Sequence, residues 1–155
     1  MISNLQIDFD YTEGKSNDCG DLHCCRSGSI EPRSQEEKAG PWGDFKCDIP
    51  EKTASNMLNF IKEQVAPDVV FWGGDSISPN LGKSSIEDNI SNMKRATDLV
   101  HHSLKGIPVY PTLGDRDLYP LHQFSFLDSS KNEAFNGWSS HWKKFIKDHE
   151  EFARF

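Results

Sequence analysis

The sequence predicts an α/β fold with a parallel βαβ core, flanking helices and a disulfide-stapled N-terminal loop. Two apolar runs, at 69–72 and 107–113, each end in glycine followed by an acid. A helical pattern lies between them, and the order strand, helix, strand is typical of parallel pairing. Because glycine allows a tight turn at the carboxyl end of a strand, Asp75 and Asp115 are predicted to share one edge of the sheet.

The first third of the chain predicts a long loop, because it is rich in Gly, Ser, Asp and Pro. It carries all of the cysteines: Cys19, Cys24, Cys25 and Cys47. A zinc site with His23 as a further ligand competes with two disulfides, but adjacent cysteines fit one ion poorly. Disulfides are favoured, and they imply an oxidising compartment. Asn89-Ile90-Ser91 is a glycosylation sequon consistent with secretion.

The first helix is predicted to begin at Asp48-Ile49-Pro50, with the proline in the first turn. One apolar face follows at helical spacing and ends before Pro67: Met57, Leu58, Ile61 and Val65.

The second helix is predicted to begin at Ser84 or Ser85, because each serine has an acid three residues later, as in a capping box. Gly106 closes it before the next strand. Its apolar positions recur at helical spacing: Ile86, Ile90, Met93, Val100 and Leu104.

A third amphipathic helix is predicted near the C-terminus, with its aromatic residues in the core: Trp138, Trp142, Phe145 and Phe152. The two strands are predicted to be buried on both faces, since their apolar runs do not alternate. No repeat or Pro- or Ser-rich linker divides the sequence, so residues 1–155 are predicted to form a single domain.

Composition argues against several classes of partner. The net charge is −7, from 17 basic and 24 acidic residues, which argues against nucleic acid or an anionic membrane. The run at 69–72 is far shorter than the ~20 residues of a transmembrane helix. The N-terminus lacks the pattern of a signal peptide, so we expect either a cytosolic chain or a missing start.

Several segments, in order, resemble the acid sphingomyelinase family, a secreted or lysosomal branch of the calcineurin-like metallophosphoesterases. The likeness covers roughly residues 2–125, and its most specific part is Trp42-Gly43-Asp44-Phe45-Lys46-Cys47-Asp48-Ile49-Pro50. The other segments are Ile2 to Tyr11, Cys19, Cys24-Cys25-Arg26, Trp72-Gly73-Gly74-Asp75 and Val109 to Gly114.

The resemblance implies a fold, a cofactor and a disulfide pairing. It implies a four-layer α/β/β/α metallophosphoesterase sandwich with two zinc ions, of which this chain would be the N-terminal half. It also pairs Cys19 with Cys24 and Cys25 with Cys47. The sheet face that the second half covers in the family is then expected to be open, or covered by a protein partner, because large apolar patches mark association sites.

Carried over residue by residue, most of the family's chemistry is missing. The two metal ligands of the family's Asp-x-His are Asn4 and Gln6 here, and a histidine near the substrate phosphate is Pro79. Asp75 matches the aspartate that bridges the metals. The family's GNH[DE] motif becomes Gly114-Asp115-Arg116-Asp117. Three further histidine ligands belong to the family's second half.

Two functions therefore remain open. The first is a degenerate pseudoenzyme without zinc, because amides bind zinc poorly and Arg116 cannot donate a proton. Asp75 and Asp115 are then vestigial metal ligands or, like Asp117, simple turn residues. We expect Arg116 to pair with a neighbouring acid rather than to hold a phosphate. The second is an active metal-dependent phosphodiesterase of which this chain is a fragment.

The histidines do not suggest a replacement metal site. His101 and His102 are adjacent on a helix and point about 100° apart. The others are isolated in the sequence: His23, His122, His141 and His149.

Overall fold

The computed structural model describes residues 1–79 and 85–146, which form a mixed α/β structure with small parallel sheets. Its strands and α-helices are β1 (Ile7–Asp8), β2 (Ile49–Pro50), α1 (Glu51–Phe60), β3 (Val70–Trp72), α2 (Ile86–Ser103), β4 (Val109–Pro111) and α3 (Glu133–Trp138). A π-helical turn spans Ile61–Val65, and 3₁₀ turns span Ser129–Lys131 and Ser139–Lys144.

The predicted βαβ unit is confirmed, with α2 joining β3 to β4. The strands are parallel, and Val70 is opposite Val109 while Trp72 is opposite Pro111. Ile2 forms a parallel bridge with Trp72, which places the N-terminal segment beside β3. A second parallel pair joins β1 to β2.

The two faces of the β3–β4 sheet differ in exposure. Val70, Trp72 and Val109 lie in the core, whereas Phe71 is 55% exposed and Tyr110 is 51% exposed. The prediction of strands buried on both faces is therefore wrong, because no described element covers the Phe71 side. The expectation of an open sheet face came from the family resemblance, and the exposure of Phe71 and Tyr110 agrees with it for the described residues.

Helix α1 differs from its prediction at both ends. Pro50 lies just before the helix with extended backbone, as the last residue of β2. The helix continues as the π-helical turn, and Ala66 closes it with a left-handed conformation, φ 45°. Val65 is 59% exposed, so its predicted place on the buried face is wrong. The π turn carries this residue away from the face that buries Leu58.

Helix α2 begins with the predicted capping box, in which Ser85 and Asp88 satisfy each other's backbone N–H groups. Met93, Val100 and Leu104 are buried as predicted. Ser84, the other predicted start, lies outside the described residues.

The aromatic residues near the C-terminus form the predicted core packing. Trp138 and Trp142 are buried, and their ring centroids are 5.0 Å apart. Phe145 packs edge-on against Trp72, with centroids 6.0 Å apart. The predicted single helix is instead α3 followed by a 3₁₀ turn. Phe152 and His149 lie outside the described residues.

The N-terminal loop is stapled by two disulfides, as predicted. Cys19 is bonded to Cys24, and Cys25 is bonded to Cys47. In the part of the chain that the structure describes, no helix is both long and apolar enough to cross a bilayer.

Candidate functional site

The carboxyl ends of β3 and β4 meet backbone to backbone. A Cβ atom added at Gly74 would lie 2.1 Å from the amide nitrogen of Gly114. One added at Gly114 would lie 2.2 Å from the nitrogen of Asp75. Only glycine allows this approach, and Gly74 also has a left-handed φ of 78°. The prediction that Asp75 and Asp115 follow strands ending at one edge is confirmed.

Asp117 holds this junction together from inside. Its carboxylate is fully buried and accepts backbone N–H bonds from Asp75 at 3.0 Å, Ser76 at 2.6 Å and Gly114 at 3.0 Å. Burial raises the pKa of Asp117 to about 6, the charge of Asp75 adds to this, and the backbone bonds oppose it. The sequence suggested that Asp117 is a simple turn residue. That interpretation missed the hydrogen bonds by which its carboxylate joins the ends of β3 and β4.

Asp75 and Asp115 have different partners. Oδ1 of Asp75 accepts the backbone N–H of Arg116 at 3.0 Å. The Asp115 side chain is 63% exposed, and its Oδ2 lies 2.9 Å from Nδ1 of His122. The sequence suggested that His122 is isolated, but the structure pairs it with Asp115. The two strand ends coincide, but these two carboxylates bind to separate groups.

Arg116 contacts an amide at the place where the sequence suggested an acid. With the Gln6 amide oriented so that donors meet acceptors, its oxygen accepts from Nη1 of Arg116 at 2.8 Å. Its nitrogen donates to Oδ1 of Asp48 at 3.3 Å. The predicted pairing with a neighbouring acid is replaced by this contact, because the Asp75 and Asp115 carboxylates are directed at the Arg116 backbone and at His122.

Asp48 is also linked, through Ser78, to a second arginine, Arg26. Ser78 donates its hydroxyl to Asp48 at 2.5 Å and accepts from Arg26 at 3.2 Å. Arg26 also donates to Asp8 at 2.7 Å, and both of these side chains are largely buried. We call this set the polar network: Gln6, Asp8, Arg26, Asp48, Ser78 and Arg116. Of these, the sequence identified Gln6 and Arg116.

The other two altered family positions, Asn4 and Pro79, do not belong to the polar network. The exposed Asn4 side chain donates to its neighbour Ser3 at 3.5 Å. Pro79 presents its backbone carbonyl to Nε2 of His23, 2.6 Å away. The ring of His23 thus contacts the segment that follows β3, a contact that its isolation in the sequence did not predict.

The donor atoms present do not match a zinc centre. Within residues 1–79 and 85–146, no three or more His, Cys, Asp and Glu side chains converge on one point. Gln6, at a family ligand position, is bonded to the permanent cation of Arg116. His101 packs against the ring of Phe145, with centroids 5.8 Å apart, and burial lowers its pKa.

The sequon at Asn89 lies in the interior. Asn89 is only 6% exposed, and its Nδ2 donates to the backbone carbonyl of Asp117 at 3.2 Å. Because a glycan would replace a hydrogen on that nitrogen, the glycosylation suggested from the sequence is not compatible with this placement. We expect glycosidase treatment of secreted protein to cause no change in mass at this site, as read by peptide mass spectrometry. A glycan on Asn89 would contradict the packing of α2 described above.

Comparisons with known proteins support the family resemblance described in the sequence analysis. No model of a known protein family matches the chain. It is 30% identical to sphingomyelin phosphodiesterase B of Dictyostelium discoideum over 98% of its own length and 24% of that protein. It is 34% identical to the sphingomyelin phosphodiesterase of Homo sapiens, over 80% of its length and 20% of that protein.

A third relative is acid sphingomyelinase-like phosphodiesterase 3b of Mus musculus, which is 31% identical over 99% of the chain and 32% of that protein. The chain therefore belongs to the acid sphingomyelinase-like phosphodiesterase family. It spans between 20% and 32% of the length of these relatives.

Proposed function

We propose that this protein is a non-catalytic homologue of the sphingomyelinase-like phosphodiesterases that acts, if at all, by binding. The observation that carries this proposal is the Arg116 guanidinium, whose Nη1 lies 2.8 Å from the Gln6 amide oxygen when that amide is oriented so that donors meet acceptors. In the family that the sequence resembles, these positions hold the proton-donating histidine and a metal ligand. Here a permanent cation and a neutral amide are bonded to each other.

Electrostatics argues against a metal ion beside Gln6. A divalent cation about 5 Å from a guanidinium is repelled by roughly 7 kcal/mol at an effective dielectric constant of about 20. In phosphodiesterases of this kind, zinc supplies the attacking hydroxide and stabilises the developing charge. Asp48 and Asp75 would attract such an ion, so the proposal requires that the Arg116 guanidinium outweighs them. A site without the ion lacks both contributions.

Proton transfer is a second loss. A leaving alkoxide needs a general acid whose pKa is near the working pH, and such a group contributes about 10²–10⁴-fold to the rate. The guanidinium of Arg116 does not deprotonate in proteins, so it cannot fill this role. His122 lies nearby, but its Nδ1 is bonded to Asp115 on the exposed side of the loop.

We propose a secreted or lysosomal location for the same protein. The two disulfides support it, because such bonds persist in oxidising compartments. The family relationship supports it as well. Expression with an export signal and with none should give oxidised protein only along the secretory route, as judged by alkylation of free thiols.

The proposal that the protein is non-catalytic predicts no hydrolysis even when zinc is present. We expect the unmodified chain to turn over neither sphingomyelin nor a chromogenic phosphodiester above the buffer rate. Arg116→His restores only the proton donor, and the pair Asn4→Asp and Gln6→His restores only two ligands, so each repaired variant is also expected to be inactive. Elemental analysis of the native protein should find less than one zinc per chain.

The second candidate is an active metal-dependent phosphodiesterase of which this chain is a fragment. The chain spans 20% and 24% of two of its relatives, and the family resemblance places three further histidine ligands in the second half of the family domain. A zinc-dependent rate that disappears in Asp75→Ala would establish that candidate and reject the first. A rate that survives Asp75→Ala would indicate a contaminating hydrolase. Circular dichroism of each variant serves as the control for folding.

A further inference from the structure

A cationic surface lies where α2 packs against the 3₁₀ turn at Ser139–Lys144, although the whole chain carries a net charge of −7. Three of its side chains, His101, Lys105 and Lys144, line one open cavity of about 640 Å³. The charge of Lys144 also acts on His141. Clustered charges of one sign create a local field even on a protein of the opposite net charge. We define the cationic surface as the following set of residues: Lys94, His101, His102, Lys105, His141 and Lys144.

Helical spacing brings part of the cationic surface to one side of α2. Lys94, Asp98 and His102 follow one another at intervals of four residues, and such positions are neighbours on a helix. Nδ1 of His102 lies 2.7 Å from the backbone carbonyl oxygen of Asp98. The rings of His101 and His102 are in contact, with centroids 5.6 Å apart. The row from Lys94 to His102 is about 12 Å long, at a rise of about 1.5 Å per residue.

Asp98 offsets only part of the charge of the cationic surface. Its carboxylate is bonded to the ammonium of Lys144, and its charge acts on both His101 and His141. While the histidines are neutral, three lysines against this one aspartate give a charge of +2. Protonation of the three histidines raises that charge to +5. The cationic surface therefore attracts an anion more strongly in acid than at neutral pH.

Two of the histidines are surrounded by groups that favour the neutral ring. Burial lowers the pKa of His101, Asp98 opposes this, and three neighbouring cations add to it: His102, Lys144 and Lys105. Burial also lowers the pKa of His141, Asp98 again opposes this, and two cations add to it: Lys144 and Lys94. Both rings are therefore mainly neutral at pH 7.5 and gain their charge in acid. A bound anion favours the charged form of each ring.

We propose that the cationic surface binds a linear sulfated polysaccharide, and binds it more tightly in acid than at neutral pH. The row along α2 is longer than one sulfate or phosphate group, so a chain of repeated charges can contact more of it. Sulfate esters stay ionised over the range in which histidine titrates. The two disulfides indicate an oxidising compartment, where sulfated polysaccharides rather than nucleic acids are common linear polyanions. This proposal does not depend on whether the protein is catalytic.

The test is the binding of a fluorescent heparin hexasaccharide to the oxidised full chain, measured by anisotropy at low ionic strength. We expect the unmodified protein to bind about 10-fold more tightly at pH 5 than at pH 7.5. The double variant His101→Gln and His141→Gln should lose most of this gain in acid. Asp98→Asn should bind several-fold more tightly at pH 7.5, because it raises the charge of the cationic surface and releases Lys144. Added salt should weaken binding in every case.

Matched controls are needed because the whole chain also becomes less negative in acid. His122→Gln and Lys46→Gln each change an exposed residue outside the cationic surface, and neither should alter binding.

Four results would overturn the proposal. They are no binding at pH 5, an equal loss in His122→Gln and in the double histidine variant, no tighter binding by Asp98→Asn, and equal affinity for an oligonucleotide of the same charge. Because Asp98→Asn is expected to gain affinity, a variant that simply fails to fold cannot imitate the expected result. Circular dichroism at both pH values confirms that each variant is folded.

Discussion

Gly74→Ala is expected to lower the free energy of unfolding by more than about 3 kcal/mol, the largest effect we predict for one added methyl group. A Cβ at this position would lie 2.1 Å from the nitrogen and 2.5 Å from the Cα of Gly114. Both contacts are with backbone, so no side chain can rotate away. The ends of β3 and β4 must separate, and with them the N–H groups that Asp117 binds.

A matched control separates this clash from conformational strain. Gly20 has a φ of 71°, close to the 78° of Gly74, but a Cβ there meets nothing within 4 Å. Gly20→Ala should therefore cost only about 1–2 kcal/mol, the price of a left-handed conformation. Urea denaturation of both variants measures the difference. Equal losses would mean that the strand ends move apart freely and that the junction is not a fixed scaffold.

The sequence identified the parts of the fold whose signals are local. Apolar runs ending in glycine and an acid gave the parallel pair β3 and β4, and the spacing of Ser85 and Asp88 gave the start of α2. The resemblance gave the pairing of the cysteines. Each of these features depends on residues close in sequence or on a recognised motif.

The polar network could not be predicted in the same way. Asp8, Arg26 and Asp48 come from distant segments, and only the folded disulfide loop brings them to Ser78. Arg116 has acids on both sides in sequence, so pairing with one of them was the natural expectation. The loop instead directs its guanidinium to Gln6 across the site. Local charge patterns predict contacts poorly where the backbone reverses direction.

Asp117 shows the same limit more sharply. Aspartate is common in turns, and nothing in the spacing from Asp115 to Asp117 shows which carboxylate points inward. The structure places Asp115 in solvent and buries Asp117 beneath Asp75 and Ser76. The residue assigned no role holds the backbone at the candidate site, and the neighbouring candidate ligand does not.

The ionisation of Asp117 should make the protein less stable as the pH rises from 4 to 7.5. Burial raises its pKa from 3.8 to about 6, so the folded state binds the proton more tightly than the unfolded state. The contribution is present at low pH and is lost as the pH rises through about 6. Linkage puts the loss near 2 kcal/mol over this range.

Asp117→Asn removes this titration and supplies the reference for measuring it. We expect the difference in unfolding free energy between the unmodified protein and Asp117→Asn to fall by about 2 kcal/mol from pH 4 to pH 7.5. Asp115→Asn, at an exposed position, should show no such change relative to the unmodified protein. Asp75→Asn removes the nearby charge that raises the pKa of Asp117, so it should move the loss to lower pH. A difference that is flat across this range would mean that the three backbone N–H bonds outweigh burial and keep Asp117 ionised throughout.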